Sequence, residues 1–241
     1  MKPVLAFPVY NRPHYVGPAL ESWRQVRGIE DTYMIHRLEP GYPDMVDLVT
    51  TGRPQCDGEV IVNGGQLGND ANMKAAVETA FATGTDFVIA AEDDVLVSHD
   101  LLEYMLAMRD RYAGDRQVLA VTAWQDQPPG PLDEVRRAEW FWGGACWGMW
   151  RDRWDEVKDG WPPSGGGYDS HLWGICRSQC RVTIQPMATR CKNIGEVGVN
   201  TDGTSFQSVW DSQQFTPDLP PQADWREHGG AVWRPDGWQN L

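Results

Sequence analysis

Along the first half of the chain, short apolar runs alternate with stretches whose apolar residues recur at helical spacing. Residues 3–10 (PVLAFPVY) form a continuous apolar run stopped by Asn11-Arg12-Pro13, which reads as a buried strand. A helix follows through Leu20, Trp23 and Val26, with Pro18 in its first turn and Gly28 at its end. Residues 32–36 and 59–63 read as a second and a third strand. Gly41, Pro43, Gly52 and Pro54 predict loop between them. Residues 64–68 lead into a helix over 69–82, with Ala76, Val77, Ala80 and Phe81 on one face and Gly84 as its stop. Residues 86–91 are apolar on both faces, as a central parallel strand is, and run straight into Glu92-Asp93-Asp94. Ser98 or Asp100 caps the next helix (Leu102, Met105, Leu106, Arg109), and 118–122 form another buried strand.

This alternation predicts an α/β fold on a doubly wound, mostly parallel sheet. The second half is less regular. It holds an aromatic, glycine-rich piece at 140–150 (WFWGGACWGMW), a helix over 151–157, a turn at 160–167, a helix over 169–176 and a strand at 181–185. No linker divides the 241 residues, so one well-packed domain is expected over 1–215. Pro, Gly and Trp dominate 216–241, which predicts an irregular tail lying on the body.

Composition narrows the classes. The net charge of −13 argues against broad attraction to nucleic acid or anionic membrane. No apolar run approaches the roughly 20 residues of a membrane span, and the N-terminus enters a strand without a leader-like segment. Five cysteines cannot all pair within the chain. A soluble, cytoplasmic protein with free thiols and no membrane partner is expected, of a compact bacterial or phage type. Twelve of the thirteen tryptophans lie in the second half; most are expected to pack in the core, the rest being able to stack on sugars or bases.

Ligands of open parallel sheets gather beyond the carboxyl ends of the strands, where helix N-termini and loops converge. Three consecutive acids stand there, and their mutual repulsion calls for a cation or hydrogen-bond donors. A divalent ion bridging carboxylate and phosphate oxygens meets that need. Helix capping by Asp93 or Asp94 is the plainer alternative, although a cap requires one acid and not three. The GGQLGND loop (64–70) lacks dinucleotide or phosphate-loop spacing, yet Asn69 and Asn72 at the start of its helix are candidates to face a nucleotide. Arg190 and Lys192 read as part of a lid that meets phosphates, with a solvated turn as the alternative. Cys176 and Cys180, four apart on a helix, read as buried thiols and not as zinc ligands. His171 reads as structural or as an aid to metal or acceptor binding.

AAEDDVLVSHDLLEYM (90–105) resembles the acidic metal motif of N-acetylglucosaminyltransferase I and its protein O-mannose relatives. The likeness continues through VLAVTAWQDQ (118–127), AEWFWGGACWGMWRDRWDEVKDGWP (138–162), GYDSHLWG (167–174) and QPMATRCKNIGEVGVNTDGTSF (185–206), and VLAFPVYNRP is similar to the family's nucleotide-binding first strand. The resemblance implies a GT-A-type, Rossmann-like mixed sheet, with a nucleotide-sugar half at 1–123 and an acceptor half at 124–215. It implies Mn2+ or Mg2+ at Asp94, donor hydroxyl contacts from Glu92 and Asp93, and nucleotide or pyrophosphate contacts from Arg12, with Pro8, Asn11, Asn72 and Arg190 also on the donor side. It puts Trp142, Gly143, Gly144, Trp147 and Tyr168 on the acceptor side and makes Asp169 the general base of an inverting transfer from a UDP-linked hexose or N-acetylhexosamine. The family has two adjacent acids where this chain has Asp169-Ser170, so Glu196 and Asp202 stand as alternatives in a slipped register. Asp31 and Glu39 are the candidates for a base-side acid.

The implied acceptor is a glycan, a protein, a small metabolite or a hydroxylated nucleobase in DNA, for which Arg136, Arg137, Arg151, Arg153, Arg177 and Arg181 would make a local basic groove. The competing readings are a sugar-nucleotide pyrophosphorylase, which needs a basic glycine-rich loop that VYNRPHY is not, and an inactive carbohydrate- or sugar-nucleotide-binding relative, which gains nothing from three clustered acids. A glycosidase needs two facing carboxylates and no metal.

Overall fold

The computed structural model describes residues 2–125, 129–141, 145–163, 165–197, 215–229 and 232. In chain order the elements are β1 (Val4–Val9), α1 (Pro13–Arg24), β2 (Tyr33–Leu38), α2 (Pro43–Gly52), β3 (Asp57–Val62), α3 (Asn69–Ala82), β4 (Phe87–Ala91), β5 (Val95–Val97), α4 (Leu101–Tyr112) and β6 (Val118–Thr122). They continue with β7 (Glu134–Ala138), β8 (Cys146–Trp150), α5 (Arg151–Val157), α6 (Tyr168–Ser178), β9 (Val182–Pro186), β10 (Cys191–Asn193) and β11 (Arg226–Glu227).

Nine of the described strands form one mixed sheet in the order β11-β7-β9-β6-β8-β4-β1-β2-β3, and β5 pairs with β10 in a small antiparallel ribbon. The pairs β1/β2, β2/β3, β1/β4, β6/β9 and β7/β11 are parallel. Alternate residues of β1 enter opposite cores. Leu5, Phe7 and Val9 pack with α1, α2 and α4, whereas Val4 and Ala6 pack with α3, α5 and α6. A strand covered on both faces has to be apolar throughout, which is why β1 and β4 read as continuous runs.

Several expectations need correction. α1 begins at Pro13, so Pro18 lies inside the helix. Residues 43–52, expected as loop, form α2: Pro43 starts it with a preset φ, and Met45 and Val49 bury one face. The aromatic segment before α5 contains β8, which runs antiparallel between β4 and β6 and gives the sheet its mixed character. Gly148 is required there, because a Cβ would lie 2.4 Å from the Phe87 ring. In the tail expected to be irregular, β11 forms a short strand beside β7, with Leu219 buried and Trp225 against Tyr104. No helix among the described residues is long and apolar enough to cross a membrane.

Candidate active site

After β1 the chain steps outward to β2 and β3, then returns to place β4 on the other side of β1. The strand order therefore reverses between β1 and β4, and loops leaving that point diverge to open a crevice. Tyr10 to Arg12 leave the end of β1, and Glu92 to Asp94 leave the end of β4. The backbone N–H of Tyr10 donates to Asp93 Oδ2 at 2.7 Å. The Arg12 guanidinium bridges two acids: Nη2 donates to Asp93 Oδ1, and Nη1 pairs with Asp94 Oδ2 at 2.7 Å. The carboxylates are nearly sealed, at 4% and 6% side-chain exposure, while the arginine keeps 22%. Neither acid caps a helix, since β5 intervenes and α4 starts only at Leu101, with Asp100 at its N-cap position.

One guanidinium faces three acids, and the imbalance registers in their protonation. Burial, then the Asp94 charge, pushes Glu92 up to about 8 against the lowering pull of the Tyr168 hydroxyl; Asp93 and Asp169 add to the push. Burial, then Asp93, raises Asp94 to about 6 despite Arg12. Arg12 is held above its ordinary value: burial opposes its charge, and the charges of Asp93 and Asp94 outweigh that. The ribbon of β5 and β10 closes over the acids from the other side. Asn193 Nδ2 donates to Asp94 Oδ1 at 3.4 Å, and Ile194 N donates to the Asp94 carbonyl at 2.8 Å. A Cβ on Gly195 would fall 2.1 Å from Asp94 Oδ2, so only glycine lets this loop pass. Val197 N donates to the Tyr15 hydroxyl at 3.0 Å, tying the same loop to α1, whose Tyr15 ring lies 5.6 Å from the Arg12 guanidinium.

The start of α6 forms the second wall. Tyr168 OH donates to Glu92 Oε1 at 3.0 Å, and its ring stacks on Trp161 at 5.2 Å and 10°. Asp169 is the next residue, half-buried, with Oδ1 accepting from Ser170 N at 2.8 Å. Trp147 is buried behind them, 6.4 Å from both the Trp161 and the Tyr168 rings. Trp147 and Tyr168 are therefore packed into the wall of the site. Trp142, Gly143, Gly144 and Asp202 lie outside the described residues.

The remaining candidates divide. Pro8 is buried in β1 and Asn11 is exposed beside Arg12. Asn72 is drawn into a structural link, accepting from Asn63 Nδ2 at 2.9 Å and donating to the Arg37 carbonyl at 3.2 Å. Arg190 is not brought to the acids as a lid residue: it is fully buried, 3.3 Å from Asp100, with its guanidinium 5.0 Å from the Trp225 ring. Glu196 is exposed, its N–H on Ile194 O. Glu39 stands at the carboxyl edge beside Val9, but its carboxylate accepts from the N–H groups of Leu67 and Gly68. Asp31 precedes β2 and so lies at the opposite edge. Most arginines of the candidate basic groove are engaged within the protein: Arg136 donates to Gln185, Arg137 pairs with Asp115 and Glu227, Arg151 donates to backbone carbonyls, Arg153 is buried beside Asp152, and Arg181 pairs with Glu156, while Arg177 is exposed over the Trp173 ring. Asp70 anchors the turn before α6, and nothing in the sequence marks it, because an acid in a helix's first turn looks like ordinary dipole complement.

Among the described residues, no set of three or more His, Cys, Asp and Glu side chains is arranged to hold a metal unaided. The cluster nonetheless fits a hard divalent cation bound by one or two carboxylates, because its buried negative charge exceeds what Arg12 neutralises.

The GNT-I family model matches residues 72–212, a stretch that begins within α3 and includes the acidic triplet, the start of α6 and the 190s loop. The alpha-1,3-mannosyl-glycoprotein 2-beta-N-acetylglucosaminyltransferase of Arabidopsis thaliana is 28% identical over 115 residues, covering 46% of this chain and 25% of that protein. Among solved structures, S. aureus TarS 1-349 superposes with a TM-score of 0.60 at 12% identity, over 81% of this chain and 61% of that one. The mannosyltransferase PcManGT from Pyrobaculum calidifontis, in complex with GDP-Man and Mn2+, gives 0.53 at 17%, over 77% and 55%. The chain thus spans a quarter of the curated relative's length, and the structural likeness is one of fold, the GT-A arrangement. With more than half of the sequence matched, including the acidic cluster and the helix that faces it, the chain belongs to the GNT-I family.

Proposed function

We propose that this chain is an inverting, metal-dependent glycosyltransferase that moves a hexose or N-acetylhexosamine from a UDP-linked sugar to an acceptor hydroxyl. The observation that carries the reading is the Arg12 bridge to Asp93 and Asp94 at the reversal of strand order, with the start of α6 bound to the adjacent Glu92 through Tyr168. In this reading Asp94 would hold Mn2+ or Mg2+, which would supply positive charge to the departing diphosphate. Family membership supports it, as do neighbours of the same fold solved with UDP-GlcNAc and with GDP-Man and Mn2+.

The roles of the chain's own groups follow from charge. Arg12 is the cation nearest the acids and turns toward the pyrophosphate when donor enters. Asp93, already fixed by Tyr10 N, and Glu92, fixed by Tyr168, present oxygens to donor hydroxyls. The Asp169 carboxylate accepts the acceptor's hydroxyl proton as that oxygen bonds to the anomeric carbon and the carbon–diphosphate bond breaks. Attack from the face opposite the leaving group inverts the anomeric configuration. Incubating the protein with UDP-GlcNAc, UDP-glucose or GDP-mannose, Mn2+ and an acceptor panel, and following diphosphate release, tests this directly. Release by the wild type that Asp94→Ala and Asp169→Asn abolish supports the reading; release equal in all three proteins overturns it.

A further inference from the structure

We propose that Asp70 is a positioning residue for this transfer: without touching substrate, its carboxylate fixes the turn that aims Asp169. The inference rests on the reading of Asp169 as the base and adds the device that holds it.

Asp70 lies in the first turn of α3, 2% exposed, on a different helix from Asp169 and about a hundred residues earlier in the chain. Its two oxygens collect four consecutive backbone donors. Oδ2 accepts from Gly165 N at 2.7 Å, Gly166 N at 3.1 Å and Gly167 N at 3.3 Å, and Oδ1 accepts from Tyr168 N at 2.8 Å. The Asp70 carbonyl also accepts from Trp161 Nε1 at 2.8 Å, so one residue holds both ends of the turn.

The glycines make this convergence possible. Gly165 and Gly167 sit at φ +84° and +73°, where side-chain-bearing residues are strained, and a Cβ on Gly166 would come 2.6 Å from Pro162 Cβ. Alternating backbone of this kind turns successive N–H groups inward into an anion-binding nest, and here the anion is part of the protein. A plain N-cap satisfies one or two donors. Four donors on one buried carboxylate fix the position and direction of the first turn of α6, and with it Tyr168 and Asp169. A turn made of three glycines has little stiffness of its own, so the anchor comes from Asp70.

The test is Asp70→Asn, which keeps the shape and replaces one acceptor oxygen by an NH2 that must face an N–H donor. Three readouts are taken: amide hydrogen exchange over residues 165–170, metal-dependent UDP binding, and kcat against KM for donor. The expected result is faster exchange confined to that segment, UDP affinity and donor KM within about twofold of wild type, and kcat lower by about 10- to 100-fold, the effect of a small misplacement of the base. Gly166→Ala presses the same turn from the Pro162 side and should reproduce the pattern. Unchanged exchange, unchanged kcat, or parallel losses of kcat, UDP affinity and Tm overturn the proposal, the last because Asp70 would then support the fold at large. Wild-type protein that transfers no sugar removes the functional reading and this inference together; active wild type with a normal Asp70→Asn variant removes this inference alone.

Discussion

The hydroxyl of Tyr168 donates to Glu92 Oε1 at 3.0 Å, joining the helix that carries Asp169 to the acidic triplet that follows β4. Burial raises the Tyr168 phenol well above its ordinary value, so it remains a donor throughout the working pH range. Tyr168→Phe removes the only hydroxyl on this ring and leaves a buried carboxyl oxygen without that partner. A loss of about 1–3 kcal/mol is expected in urea unfolding, with a larger fractional fall in kcat than in nucleotide affinity. An unchanged unfolding midpoint would show that water replaces the hydroxyl.

Arg12 is the cation between Asp93 and Asp94. Arg12→Ala leaves two nearly sealed carboxylates facing each other, and removal of one partner from such a group costs about 3 kcal/mol, reduced here because the arginine is part-exposed. The variant should unfold at lower urea than wild type at neutral pH, and Mn2+ should recover more stability in it than in wild type. Equal Mn2+ responses in the two proteins would contradict the charge imbalance described above.

His36 gives a pH dependence independent of the site. Its ring is buried in β2, edge-to-face with the Phe7 ring at a centroid distance of 5.6 Å, and the backbone of Glu59 gives it only a weak pull toward the charged form. Burial, then the nearby Arg53 charge, lowers its pKa to about 4 from an ordinary 6.5. The unfolded chain therefore binds the proton first as pH falls. Stability from this residue is fully present above about 6.5 and is lost between about 6.5 and 4. Urea midpoints should fall across that window in wild type and fall less in His36→Phe. Parallel profiles would assign the acid sensitivity to other groups.

Gly148→Ala tests the packing that seats β8. Its Cβ would meet the Phe87 ring at 2.4 Å, between β4 and β8. Overpacking of this kind costs about 1–3 kcal/mol. Phe87→Leu, combined with it, should restore part of the loss in thermal unfolding; additive losses would place the strain elsewhere.

What was legible in the residues follows from how local each signal is. β1 and β4 are covered on both faces, so their burial shows as unbroken apolar runs, and the acids that follow β4 stand out for the same reason. α2 was hidden because Pro43 and Gly52, which mark its ends, also mark loops. β8 was hidden because an antiparallel strand inserted into a parallel sheet has no preceding crossover helix to announce it. Arg190 looked like a lid residue from its glycine-rich neighbourhood, but its surroundings are Asp100, Tyr104 and Trp225, all distant in sequence. Asp70 was invisible for a related reason: its four partners lie about a hundred residues downstream, and nothing in the local pattern of α3 points to them.

The most direct measurement of the central claim is thermal unfolding of wild type and Asp94→Ala with UDP, GDP and other nucleoside diphosphates, each with and without Mn2+. A ligand at about a hundred times its Kd adds roughly 2.7 kcal/mol, a readily seen rise in Tm. The account predicts that UDP stabilises the wild type only with the metal present and that Asp94→Ala abolishes the shift. Stabilisation that is independent of metal and survives in Asp94→Ala, or no shift with any nucleotide, would contradict it.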